Sequence, residues 1–203
     1  MSEGFKADGE VDLTDAKIGS LDCDDGQFIG KGETPVLNAA SAKIDGGVYF
    51  NVGFSADGEI RFLGAYVARD FQWSGAKFPE KAILDLRQAR VWTLLNPQSS
   101  WPIKGNLRVS GFVYDQLDDR AISDAKVQLG WLQLQPKDRL LSEPFEQLAG
   151  VLRKMGLEED AKRVMIAKNE EHAKYVQWRP EWLWWVLWAN HWLRLQSMAR
   201  FWT

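Results

Sequence analysis

The feature that most limits how this chain can fold is a repeat of five residues. In Val11–Phe28, two apolar or small residues separated by one position recur every five residues: Val11/Leu13, Ala16/Ile18, Leu21/Cys23 and Gly26/Phe28. Neither the helical period of 3.6 nor the sustained alternation of a flat strand gives this spacing. It is typical of a chain that turns a corner after each short strand, so that four units close one coil of a parallel β-helix.

Further rounds of the unit follow up to about residue 116. Their inward pairs are Leu37/Ala39, Ala42/Ile44, Val48/Phe50 and a looser Val52/Phe54, then Ile60/Phe62, Ala65/Val67, Phe71/Trp73 and Ala76/Phe78, then Leu84/Leu86 and Ala89/Val91, and finally Leu107/Val109 and Gly111/Val113. Successive rounds begin 26, 23, 24 and 23 residues apart. One coil cannot bury its apolar face alone, whereas stacked coils join their faces into a continuous core. We therefore predict that Ile18, Ile44 and Val67 lie above one another in a shared interior.

A second repeat is longer. Gly4–Glu10, GFKADGE, nearly matches Gly53–Glu59, GFSADGE, 49 residues later, which is the length of two coils. This match predicts that the first coil is incomplete or that the chain is a shortened relative of proteins with more coils. The alternative is an N-terminal loop that matches by chance.

After Tyr114 the apolar spacing becomes helical. Ser123 is a candidate cap for a helix to about Gln135, which we expect to cover the end of the β-helix, where strand edges would otherwise be unpaired. A second helix follows Ser142, with its apolar stripe on Phe145, Leu148, Leu152 and Met155, and Gly156 is placed to end it. The third helix faces back with Leu157, Ala161, Val164 and Met165. The last two helices are expected to form an antiparallel hairpin, which is more often a structural unit than a peptide-binding groove.

The C-terminal tail has the most unusual composition. After Pro180, six of the eleven tryptophans of the chain fall within 22 residues. Its uncharged stretch, 182–193, is too short for a membrane span, which needs about 20 residues, but an aromatic stripe beside basic residues is typical of a helix lying in the lipid interface. The alternative is a buried helix that covers the hairpin or forms a dimer contact. The residues predicted to dock on a membrane surface or a partner are Trp182, Trp185, Trp188, Trp192, Arg194 and Trp202.

An enzyme would need a convergent set of reactive groups, and such a set is hard to find in the sequence. His172 and His191 have no Cys or His at ligand spacing, and there is no G-x-G-x-x-G, phosphate-binding loop or G-x-S-x-G. Cys23 falls at an inward position equivalent to Phe50 and Trp73, which predicts a small core residue rather than a nucleophile. The acidic corner Asp22, Asp24 and Asp25 is interpreted as a solvated turn rather than a cation site. We therefore predict no catalytic residue, no cofactor and no metal.

A resemblance to a known family adds to this interpretation. It rests on the phrases AKIGSLDCDDGQF, GFSADGEIRFLGAYVARDFQWSGAKF, NPQSSWPIKGNLRVSGFVYDQL and EPFEQLAGVLRKMGLEEDAKRVMIAKNEEHAK. Over residues 4–174 the chain resembles bacterial pentapeptide-like β-helix proteins that carry a C-terminal helical hairpin and a membrane-associated tail. Members often bear the label membrane-associated oxidoreductase, for which this sequence has no dinucleotide-binding motif.

These observations combine into one predicted architecture. The fold class is mainly β with an α appendix: a right-handed quadrilateral parallel β-helix, pentapeptide-like, followed by C-terminal α-helices. The predicted domains are a β-helix of about four coils in residues 1–119, a helical cap and hairpin in 120–177, and a Trp-rich amphipathic tail helix in 178–203. The first of these segments carries a net charge of −6, and residues 120–203 carry +3.

The functional prediction is a non-catalytic β-solenoid scaffold whose tail docks on a membrane surface or a partner protein. Two alternatives stay open: a DNA-mimicking inhibitor of a topoisomerase, and an enzyme with its site on an outward solenoid face, which would need paired carboxylates on stacked coils. A homo-oligomer is a further partner hypothesis, and nucleic acid is not expected as a partner because the solenoid lacks a basic footprint. Without a visible signal peptide, the expected location is cytoplasmic, at most peripheral at the inner membrane.

Overall fold

The structure is a computed structural model, and it describes residues 4–31, 34–77, 79–120, 125–136 and 141–178. Within them the chain forms a parallel β-solenoid of about five turns followed by helices. The strands are β1 Lys6–Asp8, β2 Val11–Asp12, β3 Lys17–Ile18, β4 Leu21–Asp22, β5 Gln27–Ile29, β6 Leu37–Asn38, β7 Lys43–Ile44, β8 Val48–Phe50, β9 Ser55–Arg61, β10 Tyr66–Trp73, β11 Ala82–Asp85, β12 Arg90–Leu95, β13 Leu107–Arg108 and β14 Val113–Leu117. The helices are α1 Ala125–Leu132, α2 Glu143–Lys154 and α3 Glu158–Trp178, with short 3₁₀ turns at Pro79–Lys81 and Gln98–Ser100.

The strands pair in the order that the repeat predicts. The five residues that begin the successive rounds form one column, with the register Val11, Leu37, Ile60, Leu84 and Leu107. A second column runs through Ile18, Ile44, Val67, Val91 and Tyr114. The predicted stacking of Ile18, Ile44 and Val67 is therefore confirmed, and so is the assignment of a parallel β-solenoid.

One corner recurs in every turn with the same backbone. Three residues before the second column, each turn has a residue with φ between +57° and +67°: Asp15, Ser41, Gly64, Gln88 and Gly111. Glycine and short polar residues tolerate this left-handed conformation best. The residue after the corner is a small inward alanine in the first four turns, which lets the chain fold back sharply over the core.

Two predicted inward pairs are wrong, each by a shift of one or two residues. In the second turn Val52 is 74% exposed, and the buried pair is Phe54/Ala56, because Ala56 pairs with Phe28 across β5 and β9. In the last turn Gly111/Val113 is replaced by the buried pair Phe112/Tyr114, since Tyr114 pairs with Val91.

The GFKADGE match is a true structural repeat. The strands β1, β5 and β9 lie side by side, so that Ala7, Phe28 and Ala56 stack in register. Residues 49 positions apart are therefore equivalent points two turns away. Aromatic rings fill this side of the interior, and Phe50, Phe54 and Trp73 have centroids 4.7 to 5.2 Å apart.

The chain divides into two compact units, Met1–Ala167 and Lys168–Thr203. In the first unit, the helix after Ser142 begins as predicted and ends in a Schellman arrangement, in which Leu157 N donates to Leu152 O and Gly156 has φ +80°. Ala161 and Val164 of α3 are fully buried against the core, as expected. The predicted cap Ser123 lies outside the described residues. Of the second unit, the structure describes the continuation of α3 to Trp178.

Candidate interaction surfaces

The six residues predicted to dock on a membrane surface or partner all lie outside the described residues. The structure therefore does not test Trp182, Trp185, Trp188, Trp192, Arg194 or Trp202, and His191 is outside as well. The surfaces that can be examined are the two ends of the solenoid and its outward faces.

The C-terminal end of the solenoid is covered by α1 and α2. The ring of Trp131, on α1, meets that of Phe112 at a centroid distance of 6.5 Å. On α2, Gln147 Nε2 donates to the backbone oxygen of Tyr114 at 2.6 Å. Burial under these helices raises the pKa of the Tyr114 phenol well above its ordinary value. The last turn therefore has the large aromatic side chains of Phe112 and Tyr114 at positions where earlier turns have alanine and either isoleucine or valine.

The N-terminal end has no such cover in the part of the chain that the structure describes. Its lining side chains are half-buried, although they occupy the inward positions that are fully buried in later turns: Phe5, Ala7, Val11, Leu13, Ala16 and Ile18. Among the strands of the described ranges, each of β1 to β4 has a neighbour on one side only. This end therefore presents both apolar side chains and unpaired backbone groups, a combination that favours association.

A cluster of charges occupies one outward face between the third and fifth turns, and we call it the arginine corner. Asp85 is completely buried, and its carboxylate accepts hydrogen bonds from Arg87 N, Nε and Nη2 at 2.6 to 3.1 Å. Glu59 accepts from Arg61 Nε at 2.6 Å and from Arg108 Nη1 at 3.1 Å. The hydrogen bonds that Arg87 donates to the Asp85 carboxylate raise the pKa of Arg87.

An enzyme on a solenoid face would need paired carboxylates, and this corner brings two together on neighbouring turns, although Asp85 pairs in register with Arg61 rather than with Glu59. However, Arg108 bridges them, with Nη1 3.1 Å from Glu59 and 3.7 Å from Asp85. Both carboxylates are thus engaged by guanidinium groups, and this arrangement suits a structural ion network better than general acid–base work. A cavity of about 450 Å³ beside Arg87 and Arg108 is lined by a mixture of polar and apolar residues.

A second hollow lies on the outward face of β10, β12 and β14. Here β10 has a bulge between Val67 and Asp70, so Ala68 and Arg69 stand opposite the single residue Trp92. The Trp92 side chain is 53% exposed beside this hollow. On its floor, Gln116 Nε2 donates to Thr93 Oγ1 at 3.0 Å. The five-residue repeat does not predict this hollow, because the extra residue of the bulge lies between the inward residues Val67 and Phe71, which both fit the repeat.

The remaining sequence candidates behave as ordinary structural groups. Cys23 is fully buried, and burial raises the pKa of its thiol to about 12, which leaves almost no thiolate at neutral pH. In the acidic corner Asp24 accepts from Asn51 N at 2.8 Å and Asp22 accepts from Asp24 N at 3.0 Å, so the carboxylates shape the turn. His172 is exposed. Among the described residues, no three His, Cys, Asp or Glu side chains are arranged to hold a metal ion.

Comparison with known proteins gives the chain no family. No protein-family model matches it, and no curated protein or solved structure is detectably similar to it. The resemblance to membrane-associated pentapeptide-like proteins therefore stays a prediction. Across the described ranges, none of the helices is long and apolar enough to cross a bilayer.

Proposed function

We propose that the protein is a non-catalytic scaffold: a rigid β-solenoid that carries a C-terminal tail, which docks on a membrane surface or a partner. The observation that carries this proposal is how the charged groups of the solenoid are used. The most buried carboxylate, Asp85, is engaged by two arginines, and the inward thiol of Cys23 is held neutral by burial. Groups with these partners build and stiffen the solenoid and are poorly placed to react with a substrate.

The tail supplies the docking element in this proposal. A stripe of tryptophans prefers the headgroup level of a bilayer, and Arg194 beside it adds attraction to anionic lipids. The membrane is the first surface to test, because the stripe of Trp182, Trp185, Trp188 and Trp192 is too short to span but long enough to lie in the interface.

Liposome flotation tests the tail directly. The full chain and a variant lacking residues 178–203 are mixed with vesicles of neutral phosphatidylcholine containing an anionic phospholipid. We expect the full chain to float with the vesicles and the truncated variant to stay at the bottom. A Trp185→Ala, Trp188→Ala double variant keeps the charge and should float less. Full chain that does not float would reject lipid docking, and equal flotation of the truncated variant would move the contact elsewhere.

The DNA-mimic alternative gains no support from the outward column next to Ile18, Ile44 and Val67. The column beside the second interior column carries Lys17, Lys43, Tyr66, Arg90 and Val113. Three positive charges and no negative one in this column do not imitate the phosphates of a duplex.

A further inference from the structure

The free edge of β1 has a hydrogen-bonding pattern that can be worked out from its bonds to β5. Phe5 O accepts from Gln27 N at 2.9 Å, and Gly9 N donates to Ile29 O at 2.9 Å. Successive residues of a strand direct their N–H and C=O groups to opposite sides, so Ala7 faces β5 as well. The N–H and C=O groups of Lys6 and Asp8 therefore face away from the solenoid, where β1 is the terminal strand of its sheet among the described residues.

This edge is complementary to itself. When two copies of β1 run antiparallel about a twofold axis at Ala7, Lys6 of one copy stands opposite Asp8 of the other. These two residues are the ones whose backbone groups point outward, so each Lys6–Asp8 pair is a hydrogen-bonded pair, in which the two residues exchange both bonds. Their side chains share the same exposed face and have opposite charges. Backbone register and charge complementarity thus coincide.

We propose that two copies of this chain associate head to head through the β1 edge. The contact is isologous, because the same strand is used by both partners, and it closes at a dimer. It brings the half-buried lining of the first turn, including Phe5, Val11 and Leu13, under the cover of the second copy. The dimer is stabilised in two ways: the backbone groups of the exposed edge become hydrogen-bonded, and the apolar side chains of the first turn become buried.

The proposal does not depend on lipid docking by the tail. The two ends of the solenoid are different: α1 and α2 already cover the last turn, so the N-terminal end is left to form the contact. Association through residues 178–203 would not change when the charges on β1 are reversed. Charge reversal on β1 therefore distinguishes a dimer formed through β1 from association through the tail.

Sedimentation equilibrium of the full chain, with a charge-reversal cycle on β1, tests the dimer. We expect the wild type to form a dimer. Lys6→Asp and Asp8→Lys each place two like-charge pairs across the interface and should weaken the dimer at least about tenfold. The double variant Lys6→Asp, Asp8→Lys restores opposite charges and should recover most of the affinity.

A matched control separates the interface from the local ion pair. Lys6 and Asp8 lie 3.8 Å apart within one chain, and Lys43 and Asp45 form the same kind of pair at 3.8 Å in the second turn. Lys43→Asp should therefore lose an equivalent pair and leave dimerisation unchanged. A monomeric wild type, an assembly that grows beyond a dimer, or single charge reversals with no effect would each overturn the proposal.

Discussion

The first and last turns of the solenoid use the same repeat but meet their surroundings in opposite ways. In the column that begins at Ile18, the last turn carries Tyr114, completely buried beneath α2, while Ile18 itself stays half-buried. At the preceding position of the repeat, the small Ala16 of the first turn is replaced by Phe112, which packs on Trp131. Side-chain size thus increases where a helix seals the interior.

This difference shows that burial in a solenoid depends on the neighbouring turn more than on the side chain itself. An inward residue in a middle turn is covered from above and below, whereas the same residue in an end turn is covered on one side. Equivalent positions should therefore respond to mutation according to their turn.

The largest difference is expected along one column, between Ile44 and Ile18. Ile44 is completely buried, so Ile44→Asp places an unpaired charge inside the core and should cost about 5 kcal/mol or more, enough to prevent folding. Ile18→Asp can turn its carboxylate toward the open end and should cost about 1–2 kcal/mol. Circular dichroism with urea titration measures both.

The outward neighbours provide the control for this pair. Lys17→Asp and Lys43→Asp alter exposed positions beside the same two residues and should change the free energy of unfolding by less than about 0.5 kcal/mol. If Ile18→Asp were as damaging as Ile44→Asp in the monomer, the N-terminal end would not be open.

The next largest difference in stability is expected between two aromatic residues, one at each end of the solenoid. Trp131→Ala removes the large side chain that covers Phe112 and should cost about 3–5 kcal/mol, because the buried end of the solenoid becomes a cavity. Phe5→Ala removes a ring that packs on Phe28 from one side only, and should cost about 1–2 kcal/mol. Thermal unfolding at low protein concentration keeps association from masking the difference.

An outward column should show the same dependence on turn. Asp12 and Asp85 occupy one column, on the first and fourth turns. Asp85→Ala removes the hydrogen bonds that Arg87 donates to this buried carboxylate and leaves a void in its place, and should cost about 1–3 kcal/mol. Asp12 is exposed and bonds to Thr14 N at 2.9 Å, so Asp12→Ala should change stability less. An equal loss at both positions in urea titration would contradict a special role for the arginine corner.

The repeat predicted the two interior columns because the five-residue spacing of apolar residues is enough to identify which residues face inward. The stacking of Ile18, Ile44 and Val67 needs no more information than five-residue periodicity. The pairs Val52/Phe54 and Gly111/Val113 were wrong because glycine and valine satisfy the same pattern in either register. Only hydrogen bonding to the neighbouring turn selects Ala56 and Tyr114.

The surfaces were harder to predict for a physical reason. Whether an outward residue meets a partner depends on which outward residues stack, and the bulge in β10 shifts that register by one residue beside Trp92. The ion pair of Glu59 with Arg108 spans two turns and is out of register, because Arg108 lies in the column of Asp85 and Arg61, whereas Glu59 pairs with Ile83. The coil length alone does not reveal such a pair, because its two residues occupy different positions of the repeat.

The last comparison is between two positions of the first turn that differ in burial, Cys23 and Leu13. It is measured by the reactivity of a thiol at each position. Cys23 is fully buried with its pKa raised to about 12 from an ordinary value of 9.0. Its folded thiol should therefore resist a thiol reagent such as dithionitrobenzoate at pH 8 and react quickly in urea. A cysteine introduced by Leu13→Cys in a Cys23→Ala background lies at the open end and should react in the folded protein, provided the reaction is measured in the monomer.

The same shift fixes the sign of a pH effect. Because the folded pKa lies above the unfolded one, stability is unaffected by this group below about pH 9 and falls as the pH rises from there toward 12, since the unfolded thiol then loses its proton first. Cys23→Ala should remove that part of the alkaline loss while preserving stability at pH 7 to within about 1 kcal/mol. Rapid labelling of Cys23 at pH 8 in the folded chain would show that the reagent reaches residues beyond the half-buried side chains at the N-terminal end. The accessible part of this end would then include the strand that precedes Cys23, β4.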